Sequence, residues 1–291
     1  MTHTDESQIW HEKVYRGQTP EVRGPEVVRW TTKGYFLRRW LRPTPADRVL
    51  DVGCGLGEYS LLIALDAREV LGLDASSTAV DAGRCAAEKL GVDNVEFVAG
   101  DAYQTADLAG DHAPFDLAIC FDLLEHLTDP APVLGQIREL LRPGGRALIY
   151  TNSYGKCSWP YIKEVRRTGG KVGPLWESDE RDHHFVRFTD RQLAELTADW
   201  RACRVYKNHF LIPAASWLSA QLDKLSPKGH APSADAASPA ASDAPVCRLQ
   251  TDMRLPRKVV QGAKLAVSVL EMETLGRLVA GAGVYLLLEK P

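Results

Sequence analysis

Three glycines, Gly53, Gly55 and Gly57, alternate along a stretch that opens on Asp51 and closes on Glu58. Bare backbone at alternate positions lets a ligand approach main-chain groups that side chains would screen. A helix beginning directly after such a turn aims its positive end at the same place. A dinucleotide fingerprint is Gly-x-Gly-x-x-Gly, with a pyrophosphate over the helix N-terminus. Here Glu58 stands where the third glycine belongs, and a carboxylate there repels a phosphate chain. Asp51 and Glu58 together suit a ligand with a positive end; a tight turn that holds no ligand is the plainer alternative for so short a motif. Asp74 follows Gly53 by 21 residues, the spacing at which an acid accepts from both hydroxyls of a ribose. Its competing role is to cap the helix that begins in Asp74-Ala-Ser-Ser. His126, His183, His184 and His209 are the side chains able to move a proton near neutral pH, although a lone histidine is more often structural.

These residues need a frame to hold them. Val49, Leu50 and Val52 read as a buried strand before the glycines, and Leu61, Leu62 and Leu65 recur at helical spacing after them. Residues 70–73 form a second buried strand ending at Asp74, and residues 76–90 an amphipathic helix stopped by Gly91. Further strands are expected at 95–98, 115–120, 147–150, 201–210 and 284–288, with a helix over 132–141. Strands alternating with helices specify an open parallel sheet. Its ligand crevice lies where strand order reverses, which puts Phe121 and Asp122 beside the glycine turn. Residues 153–182 show no clear periodicity and are expected to form an irregular active-site loop or lid. Thr189 or Asp190 caps a helix running to Asp199.

Helical patterns over 8–16 and 30–41 precede the first strand, and apolar helix faces recur around Trp217 and Leu275. Ala, Pro and Ser fill 15 of the 21 positions in 226–246, the composition of a disordered linker. A net charge of −3 gives no footprint for nucleic acid or an anionic membrane. The six cysteines include no Cys-x-x-Cys pair; Cys54, Cys120 and Cys203 fall in or beside strands, as small apolar side chains do. That usage implies a reducing compartment and no metal site. The first ten residues lack the apolar core of a signal peptide, and no run of 18 apolar residues occurs, so a cytoplasmic protein is expected.

Asp51-Val-Gly-Cys-Gly-Leu-Gly57 resembles the first motif of class I S-adenosylmethionine-dependent methyltransferases. Leu71-Gly-Leu-Asp74 resembles the end of their second strand, Gly100-Asp-Ala102 their adenine loop, residues 115–127 their fourth strand and following loop, and Leu141-Arg-Pro-Gly-Gly145 the turn before their fifth. The resemblance covers residues 45–152 well, and 183–210 and 283–290 more loosely. It implies an α/β, Rossmann-like sheet of seven mostly parallel strands in the order 3-2-1-4-5-7-6, the last strand antiparallel, with helices on both faces. It implies three regions: N-terminal helices over 1–44 covering the cofactor site, a core of 45–211 and 283–291, and a helical cap over 212–282 that contains the linker.

In the resemblance S-adenosylmethionine is held by Asp51, Gly53, Cys54, Gly55, Gly57, Asp74, Ala75, Asp101, Ala102, Phe121 and Asp122. Tyr15 or Arg16 reaches its carboxylate. Methyl transfer is an in-line displacement, so positioning is the main catalytic work, and a base is needed only where the acceptor must lose a proton. His184 is the first candidate, because it stands three residues before Arg187 in a His-x-x-Arg-Phe-Thr stretch similar to one near the family's substrate. His126 is the second. The expected acceptor is a small, partly hydrophobic metabolite, with O-methylation favoured and N- or C-methylation open. A cofactor-binding accessory protein without turnover, and a nicotinamide dehydrogenase, are the rival readings. Oligomeric state is left open.

Overall fold

The computed structural model describes residues 19–155, 159–208, 246–251, 258, 261–263, 265–267, 269–270 and 283–291. The expectations for Tyr15, Arg16, His209, the helix over 8–16, the linker and most of the 212–282 cap lie outside the described residues.

The chain opens with strand β1 (Glu21–Arg23), then helices α1 (Pro25–Val28) and α2 (Thr32–Phe36) and a π-helical turn over Leu37–Leu41. Next come β2 (Arg48–Val52), α3 (Glu58–Ala64), β3 (Glu69–Asp74), α4 (Ser77–Leu90), β4 (Val95–Ala99), α5 (Thr105–Ala109) and β5 (Phe115–Phe121). Helix α6 (Ala131–Leu140), β6 (Leu141–Asn152), α7 (Trp159–Thr168), α8 (Glu177–Arg181), α9 (Asp190–Leu196), β7 (Arg201–Asn208), β8 (Arg248–Gln250) and β9 (Gly283–Glu289) complete it.

Seven strands form one sheet in the order β4-β3-β2-β5-β6-β9-β7. Pairings from β4 through to β6 are parallel, and β9 runs antiparallel to both of its neighbours. Counted within this sheet alone, the strands follow the expected order. The detail that differs is a second sheet of two strands, β1 and β8, paired in parallel. Neither strand is legible as one in the sequence: each has three residues, too few to show a period.

Strand alternation distributes the core over the two faces. Leu50, Val52, Leu71, Ala118, Cys120 and Ile149 pack under α6 and α9, whereas Val49, Val70, Leu117, Ile119 and Leu148 pack under α3 and the N-terminal helices. Burial on both faces explains the continuous apolar runs in the inner strands. The N-terminal aromatics belong to this core: Phe36 lies 4.2 Å from Trp40, which stacks on Tyr206 at 4.8 Å. Among the described residues no helix is long and apolar enough to cross a membrane.

One expectation fails. Residues 153–182 are not an irregular loop, because α7 and α8 occupy them. The glycine and proline pairs that suggested irregularity, Gly169-Gly170 and Gly173-Pro174, lie between the two helices and punctuate them. Trp176 anchors the segment: it is 2% exposed, and the Arg187 guanidinium lies 3.8 Å from its ring centroid.

Candidate functional site

Strand β2 delivers Asp51 and then turns sharply. Gly53, Gly55 and Gly57 all take left-handed backbone, with φ of 77°, 53° and 74°. The Gly53 and Cys54 N–H groups both donate to the Leu73 carbonyl, at 2.8 and 2.9 Å, which ties the turn to β3. A Cβ at Gly57 would collide with the Phe97 ring, and one at Gly53 would press on Leu123. A Cβ at Gly55 meets nothing within 4 Å. Gly53 and Gly57 are therefore packing glycines, and Gly55 leaves the backbone open to a cavity of about 470 Å³.

The cavity lies at the C-terminal ends of β2, β3 and β5. Asp51, Gly53, Cys54, Gly55, Asp74 and Phe121 line it, together with Asp122, His126 and His184. The crevice between β2 and β5, where strand order reverses, is thus the place the fold offers a ligand. Gly57 and Ala75 do not line it. Nor do Asp101 and Ala102, which stand at the end of the neighbouring β4, where the Asp101 carboxylate caps a 3-10 turn by accepting from the Tyr103 N–H at 2.9 Å. A second cavity, about 520 Å³, lies between α6 and α9 against Val186 and Trp200, and no predicted site residue lines it.

Asp74 accepts from the Gly55 N–H at 2.7 Å and from the Ser76 N–H at 2.9 Å. The cap of α4 is Ser76, whose hydroxyl accepts from the Ala79 N–H at 3.2 Å, so capping is not the task of Asp74. An ionised carboxylate only accepts, through two oxygens with about four lone-pair positions. Asp51 is 3% exposed and accepts from the Ser60 hydroxyl at 2.5 Å. Burial, with the nearby Asp74 charge, pushes its carboxyl up to about 7, against the Ser60 bond.

Contrary to the expectation from sequence, Asp51 and Glu58 do not both offer free negative charge. Glu58 is clamped by Arg23, which gives it both its backbone N–H at 2.8 Å and its guanidinium Nε at 2.9 Å. Its charge is spent on β1. The remaining acids of the lining are Asp51, Asp74, Asp122 and Asp182. Asp122 also takes left-handed backbone, φ 53°, and forms an ion pair with Lys33, whose ammonium lies 4.3 Å from the Tyr150 ring centroid. Arg23 and Lys33 went unnoticed in the sequence, since nothing in their spacing links them to the glycine turn.

The two candidate bases meet at the far wall, their ring centroids 4.7 Å apart. His126 Nδ1 lies 3.2 Å from the His183 carbonyl, and His184 Nδ1 lies 2.9 Å from Asp179 Oδ1. His183 itself is outside the lining. Beside them Glu125 is buried and accepts from the Thr151 hydroxyl at 2.7 Å. Burial and the Asp122 charge push Glu125 up to about 7. Among the described residues no three His, Cys, Asp or Glu side chains are grouped to hold a metal ion.

Comparison with known proteins agrees with this geometry. A family described as a methyltransferase domain matches residues 43–185. The ubiquinone biosynthesis O-methyltransferase of Erwinia tasmaniensis is 34% identical over 113 residues, covering 38% of this chain and 45% of that protein. That of Aeromonas salmonicida is 36% identical over 104 residues, covering 36% of this chain and 42% of the relative. The chain thus spans less than half the length of these curated relatives. Among solved structures, the geranyl diphosphate C-methyltransferase from Streptomyces coelicolor A3(2), in complex with Mg2+, geranyl diphosphate and S-adenosyl-L-homocysteine, is similar at a TM-score of 0.58 and 10% identity, covering 100% of this chain and 98% of that one. The [4+2]-cyclase SpnF is similar at a TM-score of 0.55 and 16% identity, covering 100% and 97%. At those identities the likeness is one of fold.

Proposed function

From the premise that this chain carries a class I S-adenosylmethionine-dependent methyltransferase domain, we propose that it methylates a hydroxyl group on a small, partly hydrophobic molecule. The observation that carries this reading is the open backbone at Gly55 beside Asp74, in a cavity whose other acids, besides the clamped Glu58, are Asp51, Asp122 and Asp182. That lining fits a ligand with a cationic centre and ribose hydroxyls, and it disfavours a phosphate chain. Bound S-adenosylmethionine supplies an electrophilic methyl group on a sulfonium.

In this reading Gly55 lets the cofactor approach bare backbone, and Asp74 accepts from the ribose hydroxyls. Asp101 and Ala102 take the adenine. Asp51, Phe121 and Asp122 flank the charged end, and Tyr15 serves the carboxylate. His184 or His126 receives the acceptor's proton. Oxygen is favoured as the acceptor atom because the curated relatives are named O-methyltransferases. The second reading is an accessory protein that binds the cofactor without turning it over.

The deciding experiment pairs calorimetry of S-adenosylhomocysteine binding with transfer of a labelled methyl group to a panel of phenols, enols and hydroxylated lipids. Binding together with a labelled product supports the proposal. Binding without any product favours the accessory reading, and absence of binding overturns both.

A further inference from the structure

Asp179, from the segment between β6 and α9, is buried at 0% exposure, and four donors converge on its carboxylate. His184 Nδ1 at 2.9 Å and Arg187 Nη2 at 2.6 Å meet Oδ1. Arg187 Nε and the Trp176 N–H, both at 2.8 Å, meet Oδ2. Burial opposes the charge, but the His184 and Arg187 bonds outweigh it and hold the carboxyl down at about 2. Asp179 is ionised at neutral pH, and an ionised carboxylate only accepts. His184 therefore carries its proton on Nδ1, which leaves the lone pair on Nε2. Asn152 Nδ2 lies 3.0 Å from the same Nδ1. One nitrogen cannot donate to Asp179 and accept from an amide at once, so the amide turns over to present its oxygen.

Arg187 completes the arrangement. It grips Asp179 in a fork, donates to the Ser153 carbonyl at 3.2 Å and stacks on Trp176. Its charge offsets that of Asp179. A carboxylate alone would favour imidazolium, which has no lone pair to give. Paired with Arg187, the carboxylate is offset in charge and orients the ring.

We propose that Asp179 is a positioning residue for methyl transfer: it fixes His184 as the Nδ1–H tautomer, so that Nε2 takes the proton of an acidic hydroxyl. This rests on the methyltransferase reading above. As the acceptor oxygen bonds to the methyl carbon, its O–H bond breaks and the proton passes to Nε2. The electron pair of the broken S–C bond stays on sulfur, so the positive charge moves from sulfonium to imidazolium. The substrate class is a phenol or enol, since a phenol with a pKa of about 10 is far easier for imidazole to deprotonate than an alkyl alcohol.

The test begins with 15N NMR of the imidazoles in the full chain and in Asp179→Asn, with His184→Gln to assign the signal. The Nδ1–H tautomer is expected in the parent protein, shifting toward Nε2–H in Asp179→Asn. With S-adenosylmethionine and a catechol, Asp179→Asn should lower kcat about 100-fold, leave cofactor KM unchanged and displace the pH profile. Asp179, Arg187, Asp182, Glu125, Asp122 and His126 are the charged and titratable groups around His184 that shape this profile. Added imidazole should restore turnover in His184→Ala. Should Asp179→Asn fail to fold, the tautomer of the parent protein decides: Nε2–H overturns the proposal. Full turnover in folded Asp179→Asn overturns it too, while leaving the function standing. The expected tautomer with no phenol or enol methylated rejects the proposed function, and the catalytic part of this inference with it.

Discussion

At the scale of single residues, the two glycines that look alike in sequence have different tasks. Gly57→Ala places a methyl group into the Phe97 ring on left-handed backbone, so thermal unfolding should report a loss of about 1–3 kcal/mol. Gly55→Ala meets no protein atom and should cost only about 1 kcal/mol of backbone strain. Calorimetry should nevertheless show its cofactor affinity collapsing; unchanged affinity would place the ligand elsewhere. A β-branched residue at Gly55 is a poorer probe, because its own backbone strain would blur the result. Asp74→Ala should weaken cofactor binding by roughly 1–3 kcal/mol, the size of lost charge-assisted hydrogen bonds. The glycines, Asp51 and Asp74 were legible because motif spacing encodes them. Glu58 was misread because its partner, Arg23, lies 35 residues away in sequence, and Asp179 was missed because burial and a fork with Arg187 are tertiary facts.

At the scale of elements, the inner strands β2, β3 and β5 were readable to within a residue or two, since burial on both faces leaves an unbroken apolar run. Strand β6 was not, because it begins at Leu141, six residues before the expected start, and takes in the Pro-Gly-Gly stretch read as a turn. The segment between β6 and α9 was not. In α7 a buried Glu164 is held by Arg167, and a buried acid breaks the apolar pattern that announces a helix. Helix α9 was announced by its cap, and Thr189 and Gln192 form a reciprocal capping box. Thr189→Ala should therefore lower stability by about 1 kcal/mol, measured by urea denaturation. An undiminished midpoint would mean that α9 is held by Leu193 and its apolar contacts alone.

At the scale of the whole molecule, two carboxyls near the crevice tie stability to pH. Asp51 and Glu125 are each pushed by burial from the usual carboxylate range up to about 7. The folded protein thus holds protons that the unfolded chain has released. Their stabilising contribution is present below a pH of about 4 and is lost as pH rises through about 7. The melting temperature of the ligand-free protein should fall between about pH 5 and pH 8, and Asp51→Asn should flatten that fall; a rise over this range would contradict the burial of both acids. The sheet itself carries a different constraint. Strand β9 is inserted between β6 and β7, although 74 residues separate it from the end of β7 at Asn208. While the ribosome is still making residues 209–282, β7 has no partner to join and the edge of β6 stays bare. A nascent chain halted in that interval would expose an apolar strand edge open to pairing with another chain, so a premature stop after residue 208 should yield aggregates that chaperones bind, not a shortened folded protein.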